Sequence, residues 1–373
     1  MKNILIAIRS IFKKGRHNVM KIVSLGIGLA VGLVLIAKVY FEQSYDDFYP
    51  DRDRVYQVWA KYQQNGGELK DYPQTSGGIA PTMQQQIPEI ETVTRYTSFG
   101  DWTFTMTDTK MKYSGRCIIA DSCFFDILPR PMLIGNAKEV LSTPMYVLIS
   151  SRIAKNIGGD VIGKNFTVDN SPGRTMTIGG VFEEVPENSH SRYDVIVSMA
   201  SAGRFMWEGS PTNMLGNDRY ISYVKLHKGV NPLALEEQVR TFVNSYFPPE
   251  EQQKVGLSID FSFHKLDNLH KELPQVKRMT WILSLLAFAL IFTAVMNYIL
   301  IVISSIVNRS KEVAVHKCYG ASENNIHGMM FGEALVHIVL SLILALLLIL
   351  AFRGTVEELL ATSLDSLLLS NGS

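Results

Sequence analysis

A chain of 373 residues has room for more than one domain. Its 36 Lys and Arg against 35 Asp and Glu leave a formal charge of +1, which removes any electrostatic argument for nucleic-acid binding. The 47% apolar content is ordinary on average, yet much of it is gathered into three long runs.

Residues 1–21 form a basic arm in which Lys2, Arg9, Lys13, Lys14, Arg16 and Lys21 meet no acidic residue. Ile4, Leu5, Ile8, Ile11 and Phe12 recur at helical spacing against those charges, so the arm reads as an amphipathic helix along the inner membrane surface. A continuation of the first span into the cytoplasm, interrupted at Gly15, is the other reading.

Residues 22–41 are long enough to cross a hydrocarbon core of roughly 30 Å. They lack a small-residue cleavage pattern, so they read as a retained signal-anchor. Lys38, near the far end, is expected to snorkel. Gly28 and Gly32 form one GxxxG, which either lets a second helix approach closely or has no special role.

Residues 42–278 mix periods and predict an α+β domain, with two subdomains expected. Alternating stretches at 54–62, 91–97, 102–107, 116–120, 174–182, 193–198, 220–227 and 257–264 read as strands. Helices are expected at 79–87, 121–128, 150–157 and 231–246, the last with Asn231 as N-cap and Pro232 at the first position. Val185–His190 and Phe247–Glu250 carry turn signals. Cys117 and Cys123 fall in this domain, where a disulfide is chemically permitted, though a strand and a helix start between them work against it.

Residues 281–303 form a second uncharged run, with Asn297 placed for a hydrogen bond between helices. Residues 304–328 return as a polar turn, and 329–352 form the third run. Glu333 and His337 lie four apart on one face near its entry. They read either as an intramembrane polar pair on a proton path or as groups that snorkel and bond to neighbours. Residues 353–373 are a short external tail.

The basic arm puts the N-terminus in the cytoplasm by the positive-inside rule, which leaves 42–278 outside. No nucleotide-binding loop, HExxH, GxSxG or CxxC occurs, so no enzyme class is indicated. The layout is that of a membrane protein. It has α-helical transmembrane spans and a large α+β extracytoplasmic domain between spans one and two.

The turn Arg309–Ser322 (RSKEVAVHKCYGAS) resembles the charged turn of FtsX/MacB-type ABC transporter permeases. Tyr45–Tyr56 (YDDFYPDRDRVY), Ile149–Phe166 and Thr177–Asp194 (TIGGVFEEVPENSHSRYD) resemble pieces of the MacB-like periplasmic core domain. His316 and Cys318-Tyr319 depart mildly from the family form.

The resemblance implies a non-catalytic permease subunit in the bacterial inner membrane. ATP and Mg would be bound by a separate cytoplasmic ATPase, and this chain would hold no cofactor of its own. Mechanotransmission to the periplasmic domain would follow, with a second permease copy or homologous half, and a periplasmic partner, completing the assembly. On this reading Arg309, Lys311, Glu312, Lys317, Gly320 and Ser322 dock on the ATPase. Relatives have a fourth span, so the chain is expected to be truncated before the last one. The rival reading is a membrane-anchored sensor or scaffold whose external domain binds an envelope partner without transport.

Overall fold

The computed structural model describes residues 18–169, 171–216, 218–308, 323–360 and 362–365. These fall into two compact units. One is built from described residues of 18–44 and 271–365, the other is Tyr45–His270.

The helical unit contains α1 (Asn18–Gln43), which opens the described chain. Its remaining members come after the α/β unit. That unit runs β1 (Val55–Gln64), β2 (Lys70–Tyr72), α2 (Ile79–Gln86), β3 (Ile90–Met106), β4 (Lys112–Ala120), α3 (Phe124–Ile127), β5 (Met132–Ile134) and α4 (Ala137–Ser142). It continues through β6 (Tyr146–Ser150), α5 (Ser151–Ile157), β7 (Asn165–Val168), β8 (Ser171–Phe182), β9 (Val195–Ser198) and α6 (Ala202–Phe205). It ends with β10 (Ile221–Leu226), α7 (Glu236–Tyr246), α8 (Pro249–Val255) and β11 (Leu257–Lys265). The helical unit then resumes with α9 (Pro274–Asn308), α10 (Glu323–Ala351) and α11 (Arg353–Leu360).

All eleven strands join one sheet, in the order β11-β1-β10-β3-β4-β9-β6-β8-β5, with β2 beside β1 and β7 bridging β3 and β8. Pairing is antiparallel except between β4 and β9 and between β6 and β8. Three apolar clusters lie along it. Tyr56, Val58, Phe242 and Phe261 belong to the first, Tyr49, Tyr96, Phe124 and Phe182 to the second, and Phe104, Ile149, Phe166 and Ile178 to the third.

Two expected strands, 91–97 and 102–107, prove to be one. The β3–β4 register shifts between Ser98 and Gly100, where Gly100 takes φ +72°. That left-handed conformation suits glycine and lets the strand bend without ending. The helix expected over 121–128 shrinks to the single turn of α3. The helix expected from Pro232 starts as a 3-10 turn, and α7 begins at Glu236.

Where a turn was expected after Phe247, α8 forms instead. Pro249 sits at its first turn, Glu250 and Glu251 follow, Lys254 lies in the last turn, and Gly256 closes it in the left-handed region. Each of these matches the dipole and capping preferences of a helix.

Cys117 is buried, Cys123 is half-buried, and both are free thiols. The Cys123 thiol donates to the Val93 carbonyl at 3.1 Å, and burial pushes both thiols up in pKa.

Candidate functional site

Arg309, Lys311, Glu312, Lys317, Gly320 and Ser322, together with the basic arm at 2–14, lie outside the described residues. The other residues singled out from sequence fall in the helical unit.

Three of its helices are long and apolar enough to cross a membrane, over Asn18–Gln43, Pro274–Ser304 and Met330–Ala351. Glycines on α1 face both of the others. A Cβ at Gly28 would come within 2.3 Å of the Ala294 Cβ, and one at Gly32 within 2.4 Å of Ile291 Cγ1, both on α9. On another side, a Cβ at Gly26 would approach Leu344 and the Ser341 carbonyl of α10, at 2.9 and 3.2 Å. At Gly28 the obstacle is a Cβ fixed to the α9 backbone, which cannot swing aside, so α1 lies directly against α9 at that point.

Polar groups join the same helices. Asn297 Nδ2 donates to Ser24 Oγ at 2.9 Å, tying α9 to α1. Ser341 Oγ donates to the Ile22 carbonyl at 3.1 Å, tying α10 to α1. Glu333 and His337 are both buried, and His337 Nδ1 lies 3.4 Å from the Tyr298 hydroxyl of α9. Leu25, Ala294 and Tyr298 form the apolar centre between these contacts.

Lys38 does not snorkel. It is buried, pairs with Glu42 Oε1 at 2.7 Å and donates to Thr362 Oγ1 at 2.7 Å. The physical reason is that two partners inside the unit replace the water its ammonium would otherwise seek. Thr362 follows α11, whose Arg353 pairs with Glu357 and Asp365 at 2.9 and 2.8 Å.

In the α/β unit, the three sequence pieces that carry the family likeness meet in space. Asp46 has φ 60° and is fully buried, and its N–H donates to the Asn188 carbonyl at 2.9 Å. Its carboxylate accepts from Ser189 Oγ at 3.0 Å and lies 2.7 Å from His190 Nδ1. A carboxylate only accepts, so the Nδ1 proton faces it, while His190 Nε2 lies 3.0 Å from Ser191 Oγ and also contacts the Tyr223 hydroxyl. Tyr96 bonds Ser191 Oγ at 2.7 Å, and burial raises the Tyr96 hydroxyl to about 12.

The third piece joins from the other side. Ser150 N–H donates to the Asp194 carbonyl at 2.8 Å, Glu184 N–H donates to Ser151 Oγ at 3.2 Å, and Arg152 pairs with Asp194 at 2.5 Å.

An Asp–His–Ser series invites a comparison with acyl-transfer triads. Here Ser191 is 3% exposed and its hydroxyl is engaged by Tyr96, so no substrate carbonyl can reach it. The arrangement holds three segments in register. Sequence reasoning missed it as a site. Asp46 and His190 are 144 positions apart, and each sits among other polar residues.

A second convergence fixes the loops at 76–78 and 207–216. Arg95 bonds the carbonyls of Gly77 and Pro211, pairs with Asp121 at 3.2 Å and stacks over Tyr220. Burial raises the Asp121 carboxyl, and Arg95 opposes that shift. Among the described residues, no three His, Cys, Asp or Glu side chains converge as metal ligands would.

An α/β unit inserted after the first of three apolar helices defines a membrane protein of the permease class. The model of the MacB-like periplasmic core domain matches residues 20–242, more than half of the chain, and that of the FtsX-like permease C-terminal region matches 284–370. The chain belongs to this family of ABC-type permeases, whose members work with an ABC ATPase partner.

Among solved structures, a domain of a putative permease protein from Porphyromonas gingivalis is 33% identical, with a TM-score of 0.53, over 58% of this chain and 91% of that one. The periplasmic region of MacB from Actinobacillus actinomycetemcomitans is 16% identical, with a TM-score of 0.40, over 59% and 92%. The extracellular domain of the noncanonic ABC-type transporter YknZ from Gram-positive bacteria is 11% identical, with a TM-score of 0.38, over 55% and 98%. No curated protein matches the chain.

Proposed function

We propose that this permease subunit couples ATP hydrolysis by a separate cytoplasmic subunit to movement of its periplasmic domain. In this reading the N-terminus is cytoplasmic, and residues 309–322 dock on the ATPase through Arg309, Lys311, Glu312 and Lys317. Gly320 and Ser322 close that segment, and ATP and Mg stay with the partner. A second permease copy or homologous half completes the membrane assembly.

The observation that carries the proposal is α9. It runs unbroken for 35 residues, from shortly after β11 to the residue before Arg309. At about 1.5 Å per residue it is roughly 52 Å long, well beyond a hydrocarbon core of about 30 Å. A rod of that length can carry displacement between the charged segment and the α/β unit. The glycine contacts of α1 with α9 and α10 would make the three helices respond together. Asn297 and the Glu333–His337 pair would serve that packing.

The test is co-purification of the full-length chain with an ATPase, before and after charge reversal at Arg309, Lys311, Glu312 and Lys317. Loss of the ATPase on reversal is expected, and its retention rejects the docking assignment. Orientation is checked with Ser322→Cys in a chain whose Cys117, Cys123 and Cys318 are replaced. A membrane-impermeant maleimide should label it only after lysis.

A further inference from the structure

We propose that the start of α9 holds the phosphate of an anionic phospholipid between Lys277 and Arg278, with an acyl chain of that lipid lying down the stripe Trp281, Leu285, Phe288 and Phe292. The site belongs to the leaflet at the first turns of α9, whichever face of the membrane that is. It therefore rests neither on the coupling role of residues 309–322 nor on the orientation of the chain.

The two cations stand without a counter-ion from the protein. Lys277 and Arg278 are exposed, and neither side chain makes an ion pair or hydrogen bond among the described residues. From Pro274 to Asn308, α9 contains no Asp or Glu. Glu272, the nearest carboxylate along the chain, pairs with neither cation. Their position also runs against the helix itself, because the first turns of an α-helix favour anions and disfavour cations. A phosphate held between them relieves the repulsion of adjacent like charges and the conflict with the dipole together.

Depth identifies the phosphate as a lipid's. Lys277 and Arg278 lie four and three residues before Trp281, where the apolar run begins, so they flank its ring one turn away. Helical side chains lean toward the N-terminus, which carries both cations away from the hydrocarbon and toward the headgroups. Trp281 is 77% exposed, and tryptophan rings settle at the headgroup boundary.

Below that ring the helix offers a track for an acyl chain. Leu285, Phe288 and Phe292 continue down the same face and are 66%, 67% and 55% exposed. The rings of Phe288 and Phe292 stack with centroids 5.9 Å apart. At about 1.5 Å per residue, Trp281 to Phe292 spans roughly 16 Å, about half of a hydrocarbon core of about 30 Å. One leaflet's acyl chain fills that depth.

The two faces of α9 show why the occupant is a lipid and not another helix. Toward α1 the helix turns small residues, Ala287 and Ala294, both buried, with Ala294 against Gly28. Leu285 lies about 200° around the helix from Ala287, so the exposed stripe looks away from α1. Trp281, Leu285, Phe288 and Phe292 include no small residue to admit a second backbone at close range. Bulky side chains beneath paired cations match a phosphate with a chain attached.

The probe is dibrominated phosphatidylglycerol, which quenches nearby tryptophan, placed at rising mole fractions in phosphatidylcholine nanodiscs holding the full-length chain. Dibrominated phosphatidylcholine is the comparison lipid. The signal of a Trp281→Phe chain, which keeps Trp59, Trp102 and Trp207, is subtracted from each curve.

Half-maximal quenching is expected at an about tenfold lower mole fraction of the anionic lipid than of the zwitterionic one. Lys277→Gln with Arg278→Gln should bring the two lipids level. Lys277→Arg with Arg278→Lys keeps both charges and should keep the preference. Equal quenching by the two lipids in the wild-type chain overturns the proposal, as does a preference that survives the glutamine pair or is lost equally in the charge-keeping pair. Absence of quenching by either lipid would show the stripe covered by a second copy of the chain. Relief of the quenching by inorganic phosphate, at matched ionic strength, would give the cations to a soluble anion. Either result rejects the lipid site.

Discussion

At the scale of single residues, the fold assigns opposite electrostatic roles to two aspartates. Lys225 approaches Asp51 at 2.6 Å and Arg54 at 3.0 Å, and the Lys225 hydrogen bond, followed by that of Arg54, holds the Asp51 carboxyl below its ordinary 3.8. A carboxyl lowered in the folded state adds stability above its unfolded pKa and loses it as pH falls through the folded one. Wild type should therefore lose stability more steeply than Asp51→Asn below about pH 4, the difference vanishing once the folded-state carboxyl is itself protonated. Solvent reaches Asp51, so screening keeps the effect modest. Thermal unfolding of both chains across that range reads the difference, and parallel curves would sink the assignment. Asp121 runs the other way. Burial raises its carboxyl, so its contribution falls as pH climbs through the window above 3.8. Neither role was legible in the sequence, because Lys225 and Arg95 are ordinary strand cations until distant segments are brought beside them.

Among elements, what the sequence revealed was what local period encodes. The three apolar runs stand out because hydropathy is a property of consecutive residues, and each helix begins a few residues before its run. Strand alternation located β1, β8 and β10 well. It could not reveal that β4 pairs with β9 in parallel, or that Gly100 joins two alternating stretches into one strand. The Gly28–Gly32 spacing pointed to close helix approach without naming a partner, and α9 supplies it. Gly28→Ala is then a test of that contact. Alanine is intrinsically better in a helix by about 0.5–1 kcal/mol. Overpacking against the Ala294 Cβ at 2.3 Å should nonetheless leave a net loss, from a cost of about 1–3 kcal/mol. Adding Ala294→Gly should recover much of it. Thermal unfolding of the two single variants and the double variant in detergent measures the coupling, and simple additivity would mean the helices do not touch there.

At the level of the whole molecule, the α/β unit has the marks of a structure that folds by itself. One sheet passes through all three apolar clusters, so no boundary free of hydrogen bonds divides them. Its first and last residues meet, since the rings of Tyr45 and His270 stack with centroids 3.4 Å apart. An insertion whose ends adjoin leaves the host helices free to pack as if it were absent, which is how domains are accommodated within a chain. The Porphyromonas gingivalis permease domain covers 58% of this chain, which fits a unit of that extent standing alone. Residues 45–270 expressed by themselves should be soluble and unfold in one cooperative transition. Calorimetry and circular dichroism in urea would report coincident midpoints, because loss of any cluster exposes the strands that its neighbours share. Two separated transitions would show instead that the first cluster, on β1, β10 and β11, is a cooperative unit of its own.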